Sequence, residues 1–127
     1  PVIDDYAHHP TALHELLSAV RDMGYERIIC AFQPHTYSRT AALYEAFKDA
    51  LSLADIVLLA DVYAAREDNV YGVDMRRMAE EIAGAVYLGS FERIAAYIRE
   101  IVRPGDIVLT VGAGDIWKVN RLLTGRD

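Results

Sequence analysis

Five short apolar runs alternate with five amphipathic stretches along this 127-residue chain. The runs cover residues 2–4, 27–33, 55–62, 85–88 and 106–111. Ile, Val, Leu and Cys dominate them, with little polar alternation, which is how strands covered on both faces read in a parallel sheet. Between them the spacing turns helical. Pro10 suits a first helical turn, where its missing N–H is no loss. Leu13, Leu16, Leu17, Val20 and Met23 then form one apolar stripe, and Gly24 can end that helix in a left-handed conformation. A second stripe runs through Leu43, Ala46, Phe47, Ala50 and Leu51. Asp74 can cap a third helix with Met75, Met78, Ala79 and Ile82 inside, and Ser90 a fourth with Phe91, Ile94, Ile98 and Ile101 inside. Arg103-Pro104-Gly105-Asp106 is a turn. Asp115 can cap the last helix, whose core side is Ile116, Val119 and Leu123. The alternation predicts an α/β fold: a doubly wound, mostly parallel, Rossmann-like sheet of five or six strands with helices on both faces.

Ligands of such sheets gather beyond the carboxyl ends of the strands, so chemistry is sought there. The first strand is followed by Asp4-Asp5-Tyr6-Ala7-His8-His9-Pro10-Thr11, the second by Gln33-Pro34-His35-Thr36-Tyr37-Ser38-Arg39-Thr40. The third is followed by Asp61-Val62-Tyr63-Ala64-Ala65-Arg66-Glu67, and the fifth by Gly112-Ala113-Gly114-Asp115. Taken singly, each has an ordinary explanation. An Asp pair can be turn and cap chemistry. Adjacent histidines can simply face solvent, and without a spaced third ligand they do not make a tetrahedral metal site. A Gly-Ala-Gly turn can end a strand and start a helix, or offer N–H groups to an anion. What favours function is coincidence: four segments rich in His, Tyr, Arg and Asp fall at the same predicted edge, which suits an anionic, hydrogen-bonding ligand.

Composition narrows the class. Hydrophobic residues make up 53% and charged residues 25%, a globular profile. Net charge is −6, from 13 Lys and Arg against 19 Asp and Glu; this argues against general affinity for nucleic acid or an anionic membrane. No stretch approaches the ~18 apolar residues of a membrane span. The lone Cys30 sits in an apolar run and reads as a small buried hydrophobe. There is no signal peptide, and the chain opens without Met, so it reads as a processed chain or an excised fragment, the fragment being favoured; the single cysteine fits a reducing cytoplasm. No P-loop is present to cradle a triphosphate.

The residues have a family likeness. Asp4-Asp5-Tyr6-Ala7-His8-His9-Pro10-Thr11 resembles the motif that opens the C-terminal domain of UDP-N-acetylmuramate–L-alanine ligases, members of the Mur ligase family. Phe32 to Thr40, Phe-Gln-Pro-His-Thr-Tyr-Ser-Arg-Thr, resembles that family's second signature, and the segments at 61–67 and 112–116 follow in the expected order. Two positions depart: Ala12, where the family often has Glu, and Thr36, where some members carry a second arginine. The resemblance implies that residues 1–127 form one domain of a three-domain enzyme. An N-terminal domain would bind the UDP-sugar, and a central ATPase domain would hold ATP and Mg2+. The reaction would join L-alanine to UDP-N-acetylmuramate through an acyl phosphate. It also implies an L-alanine site of Arg39, His35, His8 and Tyr6, a nucleotide contact at Asp5, and a pocket lined by Asp61, Tyr63, Arg66, Gly112 and Gly114. No catalytic residue and no metal ligand are assigned to this domain. Two alternatives remain: murein peptide ligase, which shares a similar opening motif, and a phospho-receiver domain. The receiver would need Asp4, Asp5 and Asp61 in one site and a Lys after the fifth strand, where Lys118 lies well into the following helix.

Overall fold

A computed structural model describes residues 1–125. Five parallel strands, β1 (Val2–Asp5), β2 (Arg27–Phe32), β3 (Ile56–Ala60), β4 (Ala85–Gly89) and β5 (Asp106–Val111), form one sheet in the order β1-β5-β2-β3-β4. Burial follows that order. Every residue of β5 is buried, and in β2 and β3 only the first is not. The edge strand β1 leaves Ile3 39% exposed. The continuous apolar runs are therefore the central strands, as two-faced burial requires.

Among the described residues there are six helices, α1 (Pro10–Asp22), α2 (Tyr37–Ala42), α3 (Tyr44–Leu51), α4 (Met75–Glu80), α5 (Phe91–Ile101) and α6 (Trp117–Thr124), and all but α2 pack on the two faces. Leu13, Leu17 and Val20 of α1, Phe47, Ala50 and Leu51 of α3, and Met75 and Met78 of α4 pack on one face, against Ile28, Cys30, Phe32, Val57, Leu59 and Leu109. Ile94, Ala95 and Ile98 of α5 and Val119 of α6 pack on the other, against Ile29, Ala31, Leu58 and Val108. The Phe32 and Phe47 rings meet at 5.4 Å. Burial pushes the Cys30 thiol up to about 12, so it serves as a hydrophobe and not a nucleophile.

Several local expectations need correction. The second helical pattern is two helices, because Leu43 adopts φ −115°, ψ 21° and is the last cap of α2 and the first of α3. The break lets α3 lay Phe47, Ala50 and Leu51 on the sheet while α2 stays at the strand ends. Met23 is 60% exposed and Ala46 is also exposed; each lies off the buried stripe of its helix. Asp74 and Ser90 do cap α4 and α5, accepting from Arg76 N–H at 3.0 Å and Arg93 N–H at 3.2 Å. Asp115 does not cap α6. Ile116 holds that position, and the Asp115 carboxylate is drawn sideways to Gln33. The His9 side chain caps α1 by accepting from Thr11 N–H at 3.3 Å.

At the amino ends of the strands, away from the carboxyl-end loops, Arg27 donates to both Asp106 oxygens at 3.0 and 2.7 Å and to Ile101 O at 2.6 Å. Asp106 also accepts from Arg103 N–H at 3.0 Å. This network joins β2, β5 and the end of α5.

Candidate functional site

Because β1, β5 and β2 are neighbours in register, with Asp5 and Phe32 both opposite Val111, the segments after them emerge side by side. An isolated bridge between His35 and Tyr63 carries the β2–β3 pairing past the strands: Tyr63 N–H donates to Pro34 O at 2.9 Å and Thr36 N–H to Tyr63 O at 2.8 Å. The His35 and Tyr63 rings stack at 5.3 Å, only 14° from parallel. His8 faces His35 at 6.2 Å and Tyr6 at 5.8 Å. Arg39 reaches back one turn to place Nη1 3.5 Å from His35 Nδ1. Tyr6, His8, His35 and Tyr63, from the loops after β1, β2 and β3, and Arg39 of α2 are thus one cluster.

The hydrogen bonds set the histidine protons. A guanidinium only donates, so His35 Nδ1 is the acceptor and its proton sits on Nε2. A carbonyl only accepts, so His8 Nδ1 donates to Tyr6 O at 3.1 Å. Burial first, then the Arg39 cation and His8, hold His35 below its ordinary value, with the Glu67 carboxylate opposing. His35 is therefore neutral at pH 7 and offers an Nε2–H donor, while Arg39 has no carboxylate partner among the described residues. An arginine without an anion beside a neutral histidine is suited to bind a carboxylate.

Asp5 and Tyr6 line a separate cleft of about 350 Å³ with Asp4, Gly112, Gly114 and Trp117. Asp5 Oδ1 accepts from Ala7 N–H at 2.8 Å, which leaves Oδ2 without a partner among the described residues. Gly112 and Gly114 owe their identity to close approach. A Cβ on Gly112 would lie 2.8 Å from Gln33 O, and one on Gly114 would lie 2.6 Å from the Tyr63 ring. The Gly-Ala-Gly loop can therefore press on β2 and the Tyr63 segment. Gln33 locks it there: its Nε2 donates to Asp115 Oδ1 and its Oε1 accepts from Asp115 N–H, both at 3.1 Å.

Asp61 lies elsewhere. Its carboxylate accepts from the Tyr87 hydroxyl, and it lines a cleft of about 390 Å³ with Gln33, Tyr63, Ser90 and Asp115. Arg66 is exposed, with φ +71° and no hydrogen bond among the described residues. Sequence reasoning assigned no role to Gln33 or Glu67, although both stand in segments singled out at the strand ends. Their type alone does not reveal which loop a polar side chain will hold.

The topology removes the receiver reading. Asp4 and Asp5 end β1 while Asp61 follows β3, and β5 and β2 lie between them. Three strand spacings, roughly 14 Å, separate groups that a receiver would need together; in that fold the first and third strands are neighbours. Among the described residues, no three His, Cys, Asp or Glu side chains assemble into a metal site. No described helix is long and apolar enough to cross a membrane.

Known proteins decide the family. The family described as Mur ligase, glutamate ligase domain, matches residues 1–114. The chain belongs to that family. A UDP-N-acetylmuramate–L-alanine ligase of Caldicellulosiruptor saccharolyticus is 47% identical over 128 residues, covering 98% of this chain and 28% of the relative. Among solved structures, the UDP-N-acetylmuramate-alanine ligase of Thermotoga maritima superposes with a TM-score of 0.72 at 26% identity, over 98% of this chain and 26% of that one. The murein peptide ligase of Psychrobacter arcticus shares the fold, with a TM-score of 0.71 at 20% identity over 98% and 26%. The chain thus spans just over a quarter of the length of these Mur ligases.

Proposed function

We propose that this chain is the C-terminal domain of an ATP-dependent ligase that joins L-alanine to UDP-N-acetylmuramate, a step in the making of peptidoglycan precursors in the cytoplasm. The observation that carries the reading is the unpaired Arg39 beside the neutral His35, with His8 and Tyr63 around them, in a domain whose relatives at this identity are named for that reaction. L-Alanine offers a carboxylate, an amine and a methyl group. Arg39 takes the carboxylate, its planar fork matching two oxygens. His35 and His8 add hydrogen bonds, and Tyr6 and Tyr63 supply walls. Gly112 and Gly114 belong to the neighbouring Asp5 cleft, and Asp61 and Arg66 lie outside the Arg39 cluster.

ATP and Mg2+ belong to the full-length enzyme. The residues here fit only one wall of a nucleotide site: Asp5, with one free carboxylate oxygen, in a cleft beside Tyr6 and Trp117. ATP would convert the sugar carboxylate into an acyl phosphate with a leaving group. The domain's own part is to hold the amino acid, aim its amine and exclude water when it closes over upstream sugar-binding and ATPase domains.

The full-length protein should sustain ADP release over many turnovers only when ATP, UDP-N-acetylmuramate and L-alanine are all present, and the isolated domain should release none. Sustained release that ignores L-alanine, or turnover by the purified domain, would count against the reading. In the same assay Asp5→Ala should raise the apparent KM for ATP about tenfold, the effect of losing one hydrogen bond to a charged acceptor, with the L-alanine dependence little changed. An unaltered ATP dependence would remove Asp5 from the nucleotide site. The murein peptide ligase alternative predicts that a preformed peptide replaces L-alanine as the acceptor amine.

A further inference from the structure

The loop after β3 crosses in front of α2 and takes hold of it. Glu67 Oε1 accepts from the backbone N–H of Ser38 at 3.0 Å, and Oε2 accepts from the Ser38 hydroxyl at 2.6 Å. Ser38 is the residue before Arg39 in the opening turn of α2. To reach it the chain bends through two consecutive residues in the left-handed region, Ala65 at φ +50° and Arg66 at φ +71°, and closes with Glu67 N–H on Ala64 O at 3.0 Å. Residues with side chains rarely adopt that conformation, and a pair of them persists only where surrounding contacts hold it. From the other side, Thr36, itself at φ +67°, caps Arg39 N–H through its hydroxyl at 3.3 Å and is pinned to Tyr63 O through its own N–H.

We propose that Glu67 is a positioning residue of the amino-acid site: by gripping Ser38 it fixes the opening turn of α2, and with it the direction in which Arg39 is presented beside His35. This rests on the reading of Arg39 as the carboxylate-binding group. The carboxylate does its work through the backbone and the Ser38 hydroxyl, and it forms no ion pair with Arg39, whose charge stays available to a ligand. The two Ser38 bonds hold Glu67 below the usual carboxylate range, so the grip is complete at neutral pH. An ion pair between Glu67 and Arg39 would have oriented the side chain but cancelled the charge that the ligand needs.

The test uses the full-length ligase that carries this domain. Glu67→Ala should raise the KM for L-alanine roughly tenfold, the loss expected for hydrogen bonds to a charged group, with the KM for ATP unchanged. Glu67→Gln should restore most of it, since the amide oxygen can accept from Ser38 N–H while the amide nitrogen donates to the hydroxyl. Ser38→Ala, which removes one of the two bonds, should produce a smaller change of the same kind. It also keeps the test open if Glu67→Ala folds poorly. In an Arg39→Ala background, Glu67→Ala should add nothing, because its effect passes through Arg39. The inference is overturned if Glu67→Ala leaves the L-alanine KM alone, raises both KM values together, or adds its full factor without Arg39. If Arg39→Ala moves the L-alanine KM and Glu67→Ala does not, the proposed function stands and only the positioning role falls. If neither moves it, both fall.

Discussion

In the full-length ligase, Arg39→Ala should weaken apparent L-alanine affinity by at least roughly thirtyfold, with ATP dependence nearly intact. Losing one partner of a desolvated, hydrogen-bonded charge pair costs on the order of 2–5 kcal/mol, and the lower end already corresponds to about that factor. Arg39 lies midway along the six-residue α2, and Glu67 already places a carboxylate on the Ser38 N–H at the helix start. Neither Glu67, held by Ser38, nor Asp61, held by Tyr87, forms an ion pair with Arg39. On the proposed reading, the two-oxygen fork of the guanidinium is filled by the substrate carboxylate. Arg39→Lys should recover only part of the affinity, because an ammonium is a single point and cannot reproduce the two-oxygen fork. L-Alanine titrations of ADP release settle it: an unchanged L-alanine dependence in Arg39→Ala would falsify the pocket, and the exposed Arg66 would become the next arginine to replace.

Asp106→Ala should lower the stability of the domain by about 3 kcal/mol, toward the lower end for breaking a buried ion pair from one side. Asp106 is 5% exposed and accepts from Arg27 twice and from Arg103 N–H. Deletion leaves the Arg27 guanidinium with Ile101 O alone, the Arg103 N–H unpaired, and a cavity between them. The Arg27 hydrogen bonds, opposed by burial, hold the Asp106 carboxyl below its ordinary value of 3.8. A depressed folded value means that the contribution is fully present above that ordinary value and is lost as pH falls through the folded one. Urea midpoints should therefore drop for the parent chain on going below pH 4 and vary less for Asp106→Asn. Equal acid sensitivity in the two chains would show that the pair does not govern acid stability. The network lies at the opposite end of the strands from Arg39, so catalytic constants of the folded variant should barely move.

The architecture was legible because burial acts residue by residue. A strand covered on both faces must be apolar along most of its length, and β2, β3 and β5 are, with Arg27 and Asp106 pairing at the amino ends of β2 and β5. Helix stripes, the Asp74 and Ser90 caps and the Gly24 turn follow equally local rules. The motifs at the strand ends carried the family likeness, and with it the choice of Arg39, His35, His8, Tyr6 and Asp5. What local rules could not supply was strand order and the cross-loop contacts that depend on it. Insertion of β5 between β1 and β2 separates Asp5 from Asp61 and removes the receiver site, though both chains would show the same alternation of elements. The break at Leu43, the capture of Asp115 by Gln33, and the grip of Glu67 on Ser38 arise from neighbours 29 to 82 residues apart or from helices seeking different surfaces. By itself the sequence determined which segments are strands, which are helices and which end of the sheet carries the polar chemistry, because those follow from each residue's own preference for burial or water. Only the tertiary structure decided which polar groups pair with one another and which, like Arg39, have no carboxylate partner among the described residues, because hydrogen bonds depend on distance in space and a chain position says nothing of its distant neighbours.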